Sequence, residues 1–191
     1  MARRALTQAK PVPARRDEGK DAFQKMSRAV RVLSRLQLPQ VLLARLNPSS
    51  HPERAEAPDI VFYTVCNMLR TPHIGLLCLD VFDRLGLSYA AIGGPSHCCG
   101  ILQLRPGDTE NAGRQIVRTM ERFAETGAKE VVAWCPTCQL QIAETTPPAD
   151  GQAHPFGTLI LPVFLAARLD RLKPMMTTPV NERIALHEYP G

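Results

Sequence analysis

The chemistry of this sequence gathers at Ser96-His97-Cys98-Cys99-Gly100, where two adjacent thiols are followed by glycine. Core packing has no use for such a pair. Of the four other cysteines in the chain, three stand at intervals that suit one assembled site. Cys66 precedes Cys98 by 31 intervening residues, and Cys135-Pro136-Thr137-Cys138 follows Gly100 after 34, giving C-x31-C-C-G-x34-C-P-T-C. A thiolate is a soft anionic ligand that selects zinc, copper(I) or iron–sulfur clusters, and neighbouring thiolates repel one another unless a metal neutralises them. Structural zinc takes four ligands in a tetrahedron, which leaves one of five cysteines over. A cubane [4Fe–4S] cluster also takes four thiolates. Five ligands, two of them neighbours, suit an opened four-iron cluster better, while zinc and metal-free thiol chemistry stay open as alternatives.

Composition narrows the setting. With 191 residues, 45% hydrophobic and 21% charged, the chain has enough apolar surface for one medium domain with appendages. The net charge of +5 comes largely from arginines near the N-terminus. No Lys/Arg run is interleaved with aromatics, so nucleic acid is not an expected partner. Met1 to Lys20 has neither an apolar h-region nor a small-residue cleavage site, and the expected location is cytoplasmic. Thiols in reducing cytoplasm stay free unless they bind metal or do redox chemistry. The most apolar stretch, residues 157–172, is interrupted by Pro162, Arg168 and Asp170. No transmembrane segment is expected, which leaves peripheral contact of a basic helix with an anionic membrane surface.

Residues 1–20 are basic and punctuated by prolines, and disorder is expected there. Residues 21–57 form a helical extension and linker. Phe23, Met26, Val30 and Leu33 recur at helical spacing, with Lys25, Arg28, Arg31 and Arg35 on other faces, and Pro39 starts a second short helix carrying Val41, Leu42 and Leu46. Such a pair either packs on the domain as a hairpin or presents a basic docking face. Asn47-Pro48-Ser49-Ser50, Pro52 and Pro58 mark the linker.

Three strand–helix units follow within a domain of residues 58–175. Ile60 to Val65 is an apolar, β-branched run suited to a buried parallel strand, and it delivers Cys66 at its end. Thr71-Pro72 starts a helix with an apolar stripe of Ile74, Leu77, Cys78, Val81, Phe82 and Leu85, stopped by Gly86. Cys78 sits in that stripe and is assigned to the core. Ser88 to Ile92 is a second strand, broken by Gly93-Gly94-Pro95 just before the thiol pair. Asp108 or Thr109 caps a helix with Ile116, Met120 and Phe123 inward, ending at Gly127. Glu130 to Trp134 is a third strand that runs into Cys135. Each cysteine of the pattern therefore follows a strand end, where open α/β sheets gather their ligands. Thr145 to Pro155 is a loop, Leu159 to Leu172 is expected to be helical, and residues 183–187 form one more candidate strand.

The cysteine pattern resembles the cysteine-rich CCG-domain family, found in the B-type subunit of heterodisulfide reductase and in related subunits of succinate, glycolate and lactate oxidoreductases. The matching positions are Cys66, Cys98, Cys99, Gly100, Cys135 and Cys138, and the similarity spans roughly residues 58–173. The resemblance implies a small Rossmann-like parallel sheet with flanking helices, cysteines at the strand C-terminal ends, and a helical N-terminal extension. It also implies an iron–sulfur cluster, [4Fe–4S] and noncubane in some members, held by Cys66, Cys98, Cys99, Cys135 and Cys138. Zinc is the alternative for members that only assemble or anchor. Partners implied are other redox subunits, flavin or ferredoxin-like. Family members usually carry two repeats. Here residues 176–191 resemble the start of a second, truncated or degenerate one, with His187-Glu188-Tyr189-Pro190 where a His-Asp-Pro-Cys is common. Near the site, His97 can donate to sulfur, carry protons, or simply bond backbone. Gly100 is expected to let backbone approach the cluster, Pro136 to shape the CxxC turn, and Trp134 to shield the site as core.

Overall fold

A computed structural model describes residues 10–46, 56–145, 154–179, 181–183 and 185. Its centre is a four-stranded, wholly parallel sheet in the order β2-β1-β3-β4, built from β1 (Ile60–Val65), β2 (Tyr89–Gly93), β3 (Glu130–Ala133) and β4 (Gly157–Ile160). Every residue of β1 is buried, as expected of an apolar run between two strands with helices on both faces.

Alternation along β1 sends Phe62 and Tyr63 to opposite faces. Phe62 meets Phe82 of α3 (Pro72–Arg84) edge-on at 5.1 Å, and Phe82 meets Phe164 of α7 (Leu161–Ala166) at 5.8 Å. Tyr63 meets Phe123 of α5 (Thr109–Glu125) at 5.0 Å. The sheet is thus covered on both sides, which is the expected α/β arrangement. Asp108 caps α5 by accepting from the Asn111 N–H, and Gly86 and Gly127 close α3 and α5 in the left-handed region. Two short helices complete the body, α4 (Ile101–Leu104) after the thiol pair and α6 (Pro136–Glu144) after Cys135, with α8 (Leu169–Leu172) last.

Four expectations need correction. The N-terminal helix α1 runs Val12–Gln37, so residues 12–20 are helical rather than disordered. Prolines at 11 and 13 sit at the helix start, where the missing N–H costs nothing. The first turns are also held: Arg15 donates to the Gly107 carbonyl at 3.3 Å, and Arg16 pairs with Glu110. Residues 1–9 lie outside the described residues. In α3 the buried arc is rotated, with Leu76 and Leu79 inside and Leu77 61% exposed. The reason is Leu46, which follows α2 (Gln40–Ala44) and seats on Gly75, drawing that side of α3 inward. Leu159 and Ile160 belong to β4 rather than to a helix, because four residues of strand pass directly into α7 without a turn residue between. Trp134 is 36% exposed and is not a core side chain.

Arg45 anchors α2 to α3 through Asp80 and Asp83, each at 2.9 Å. Both helices of the extension therefore pack on the domain, although Val32, Leu36 and Val41 stay exposed. Much of the linker, and most of the candidate strand at 183–187, lies outside the described residues. Among those described, no helix is long and apolar enough to cross a membrane.

Candidate metal centre

The C-terminal ends of three adjacent strands, β2, β1 and β3, bring five thiols near one another. β1 ends at Val65 with φ 55, a left-handed conformation that costs a β-branched residue of order 1–3 kcal/mol and turns the chain outward at Cys66. The neighbouring strand end is shaped around it. Gly94 N–H donates to the Val65 carbonyl at 3.0 Å, and a Cβ on Gly93 would stand 2.1 Å from Thr64 Oγ1. Only glycine fits there.

A single 3-10 turn, Pro95–His97, then carries the chain to Cys98 and Cys99, which are 0% and 1% exposed. The hydroxyl of Thr119 of α5, also fully buried, lies 3.0 Å from both the Cys98 and the Gln115 carbonyls, which share its single proton. Gly100 has φ 79, and a Cβ there would lie 2.6 Å from the Ala112 carbonyl oxygen. The glycine of the CCG triplet is therefore required by its close approach to α5. At the third strand end, Cys135 caps α6, Pro136 opens that helix, and Cys138 lies one turn in, buried.

The sulfurs touch in pairs. Cys98 and Cys66 are 3.8 Å apart, and Cys138 and Cys99 are 3.2 Å apart. The neighbouring Cys138 thiol, with the first N–H groups of α6, holds the Cys135 thiol down at about 5 against the effect of burial. Cys98 is likewise lowered, through its interactions with the Cys66 and Cys99 thiols. Cys66 is raised through its bond to Cys98 and by burial. Cys138 is raised through its bonds to Cys135 and Cys99. Cys99 gains from the Cys138 thiol, but its bond to Cys98 and burial outweigh this and push it up. A metal that takes these sulfurs as ligands must displace their protons, so its binding would depend on pH.

Among the described residues, no group of three or more His, Cys, Asp or Glu is arranged around one ion position. The donor set itself suits a soft metal group. All five donors are sulfur, four of them are buried, and all are free thiols.

Cys78 stands apart in the core, with its thiol raised to about 11 by burial. His97 Nδ1 lies 3.3 Å from the Gly93 carbonyl, and burial lowers its pKa. It is a loop histidine bonded to backbone. Two residues near the sulfurs are not singled out by the sequence. Tyr63 donates its hydroxyl to the His97 carbonyl at 2.9 Å, and burial, followed by the charges of Cys138, Cys99, Cys98 and Cys66, pushes its phenol well up. Thr119 is the other. A signal for it exists, since it lies on the inward face of α5 with Ile116 and Phe123.

A parallel α/β sheet with thiols collected at its strand ends defines the class of protein, a cysteine-rich α/β domain. Residues 60–143 match the family model described as CCG, cysteine-rich domain. The chain is also 28% identical over 137 residues to the D-type subunit of the dihydromethanophenazine:CoB–CoM heterodisulfide reductase of Methanosarcina barkeri, a match covering 68% of this chain and 33% of the relative. The chain thus spans about a third of the length of the curated relative it matches. Because that relative is of the D type, the likeness to the B-type subunit is a narrower label than the match carries. No solved structure matches.

Proposed function

We propose that this chain is an iron–sulfur subunit of an oxidoreductase complex, with a four-iron cluster held by Cys66, Cys98, Cys99, Cys135 and Cys138. The observation that carries the reading is the convergence of five thiols from three adjacent strand ends in a segment that matches the CCG family. The relative is by name a subunit of a heterodisulfide reductase, which supports a redox assembly. When bound, such a cluster supplies one-electron transfer. The chain's own contribution is placement and burial. Val65 and Gly93 set the first strand ends, Thr119 and Gly100 fix the thiol pair against α5, and the α6 N-terminus favours negative charge on Cys135.

The partners we propose are flavin or ferredoxin-like redox subunits in the cytoplasm. Exposed Val32, Leu36 and Val41 beside Arg28 give the helical extension an apolar, basic face for them. A zinc-stapled structural subunit is the second reading. Zinc–sulfur bonds of about 2.3 Å set tetrahedral sulfurs about 3.8 Å apart, a spacing that Cys66 and Cys98 match and that Cys99 and Cys138, at 3.2 Å, would have to open to reach.

Single substitutions of Cys98 or Cys99 by serine test the ligand set, read by metal content of the purified chain. Each is expected to abolish stoichiometric loading, while Cys78→Ala retains it at a stability cost of about 1–2 kcal/mol. Loss of metal in Cys78→Ala, with full retention in Cys98→Ser, would overturn the assignment.

A further inference from the structure

A groove of about 580 Å³ lies between α1 and the loop that carries the thiol pair. Arg31 and Arg35 line it from α1, and Arg118 lines it from α5. Among the described residues, no acidic one lines it. Three other arginines on the same two helices find carboxylates, Arg16 and Arg114 at Glu110 and Arg122 at Glu125. Among the described residues, Arg31, Arg35 and Arg118 have no carboxylate partner. Three guanidinium groups converging on one concavity without an anion repel one another, and the arrangement is relieved by a ligand that brings negative charge.

The remaining lining describes the rest of that ligand. Hydroxyls of Ser27, Ser34 and Ser96 add hydrogen-bonding capacity, and Phe23, Val30 and Leu69 provide an apolar wall. The volume falls in the range of small-molecule sites. Ser96 is two residues from Cys98, and Gln115 Nε2 donates to the Ser96 carbonyl at 3.2 Å, so this edge of the groove is tied to the helix that also holds the thiol pair. We infer that the groove binds a small organic oxyanion, a phosphate or carboxylate head on an apolar body, beside the loop that leads into the thiols. The site is separate from the metal centre and does not depend on which metal that centre holds.

Calorimetric titration of the full chain with phenyl phosphate, benzoate and uncharged benzyl alcohol tests this. One-to-one saturable binding is expected for at least one of the two anions and not for the alcohol, with the tighter anion identifying the head group. Arg118→Gln and Arg31→Gln should each weaken it roughly tenfold, the scale of one charge-assisted hydrogen bond. Lys25→Gln, on an exposed part of α1 outside the groove, should leave it unchanged. Metal content and melting temperature of each variant, measured in parallel, separate a lost contact from a lost fold. Absence of saturable binding by both anions, or equal binding by a folded Arg118→Gln variant, would refute the proposal.

Discussion

Replacing Gly100 by alanine asks whether the thiol pair is positioned by contact with α5. Two costs add at this position. An L-residue at φ 79 costs about 1–2 kcal/mol relative to glycine, and a Cβ 2.6 Å from the Ala112 carbonyl oxygen must displace backbone, an overpacking cost of about 1–3 kcal/mol. Gly86 supplies the control, since it has φ 63 but nothing within 4 Å of its Cβ. Gly86→Ala should therefore lose about 1–2 kcal/mol and Gly100→Ala about 2–5 kcal/mol. Urea unfolding of both variants measures the gap directly. With a slope of about 2 kcal/mol per molar, the midpoints should differ by roughly 0.5–1.5 M. Gly100→Ala should also purify with less metal, because the shift is transmitted to Cys98 and Cys99. Coincident midpoints for the two variants would refute the close-approach argument.

Thr119→Val removes the donor to the Cys98 carbonyl without changing volume much, and a cost of about 1–3 kcal/mol is expected from the unsatisfied buried acceptor, read by urea unfolding; a change below a few tenths would show that the bond is idle. Deleting residues 1–18 removes the Arg15 bond to Gly107 and the Arg16–Glu110 pair, so a loss of about 1–2 kcal/mol with metal content unchanged is expected, and an unaltered unfolding midpoint would contradict the packing of α1.

Much of the sheet is legible in the sequence because its signals are local. Ile60 to Val65 is an unbroken apolar run, and Gly86, Gly94 and Gly127 mark turns that only glycine adopts comfortably. Convergence of the cysteines follows from their spacing and from their places at strand ends. What the sequence hides depends on contacts between distant residues. The first turns of α1 look like a polar tail until Gly107 and Glu110 stand beside them, and the rotation of α3 depends on Leu46 reaching Gly75. Strand β4 is hidden because Ile160 passes straight into Leu161 and Pro162, with no punctuation to divide strand from helix. At Gly100 the sequence shows that a side chain is excluded and not what excludes it, so α5 emerges as the neighbour only in the folded chain.

Iron, acid-labile sulfide and zinc content of the chain, purified without oxygen and read beside its visible absorption, test the central claim most directly. The account predicts a brown protein with about four iron and a matching amount of sulfide per chain, lost on Cys99→Ser. A colourless protein holding one zinc per chain, with no sulfide, would contradict it.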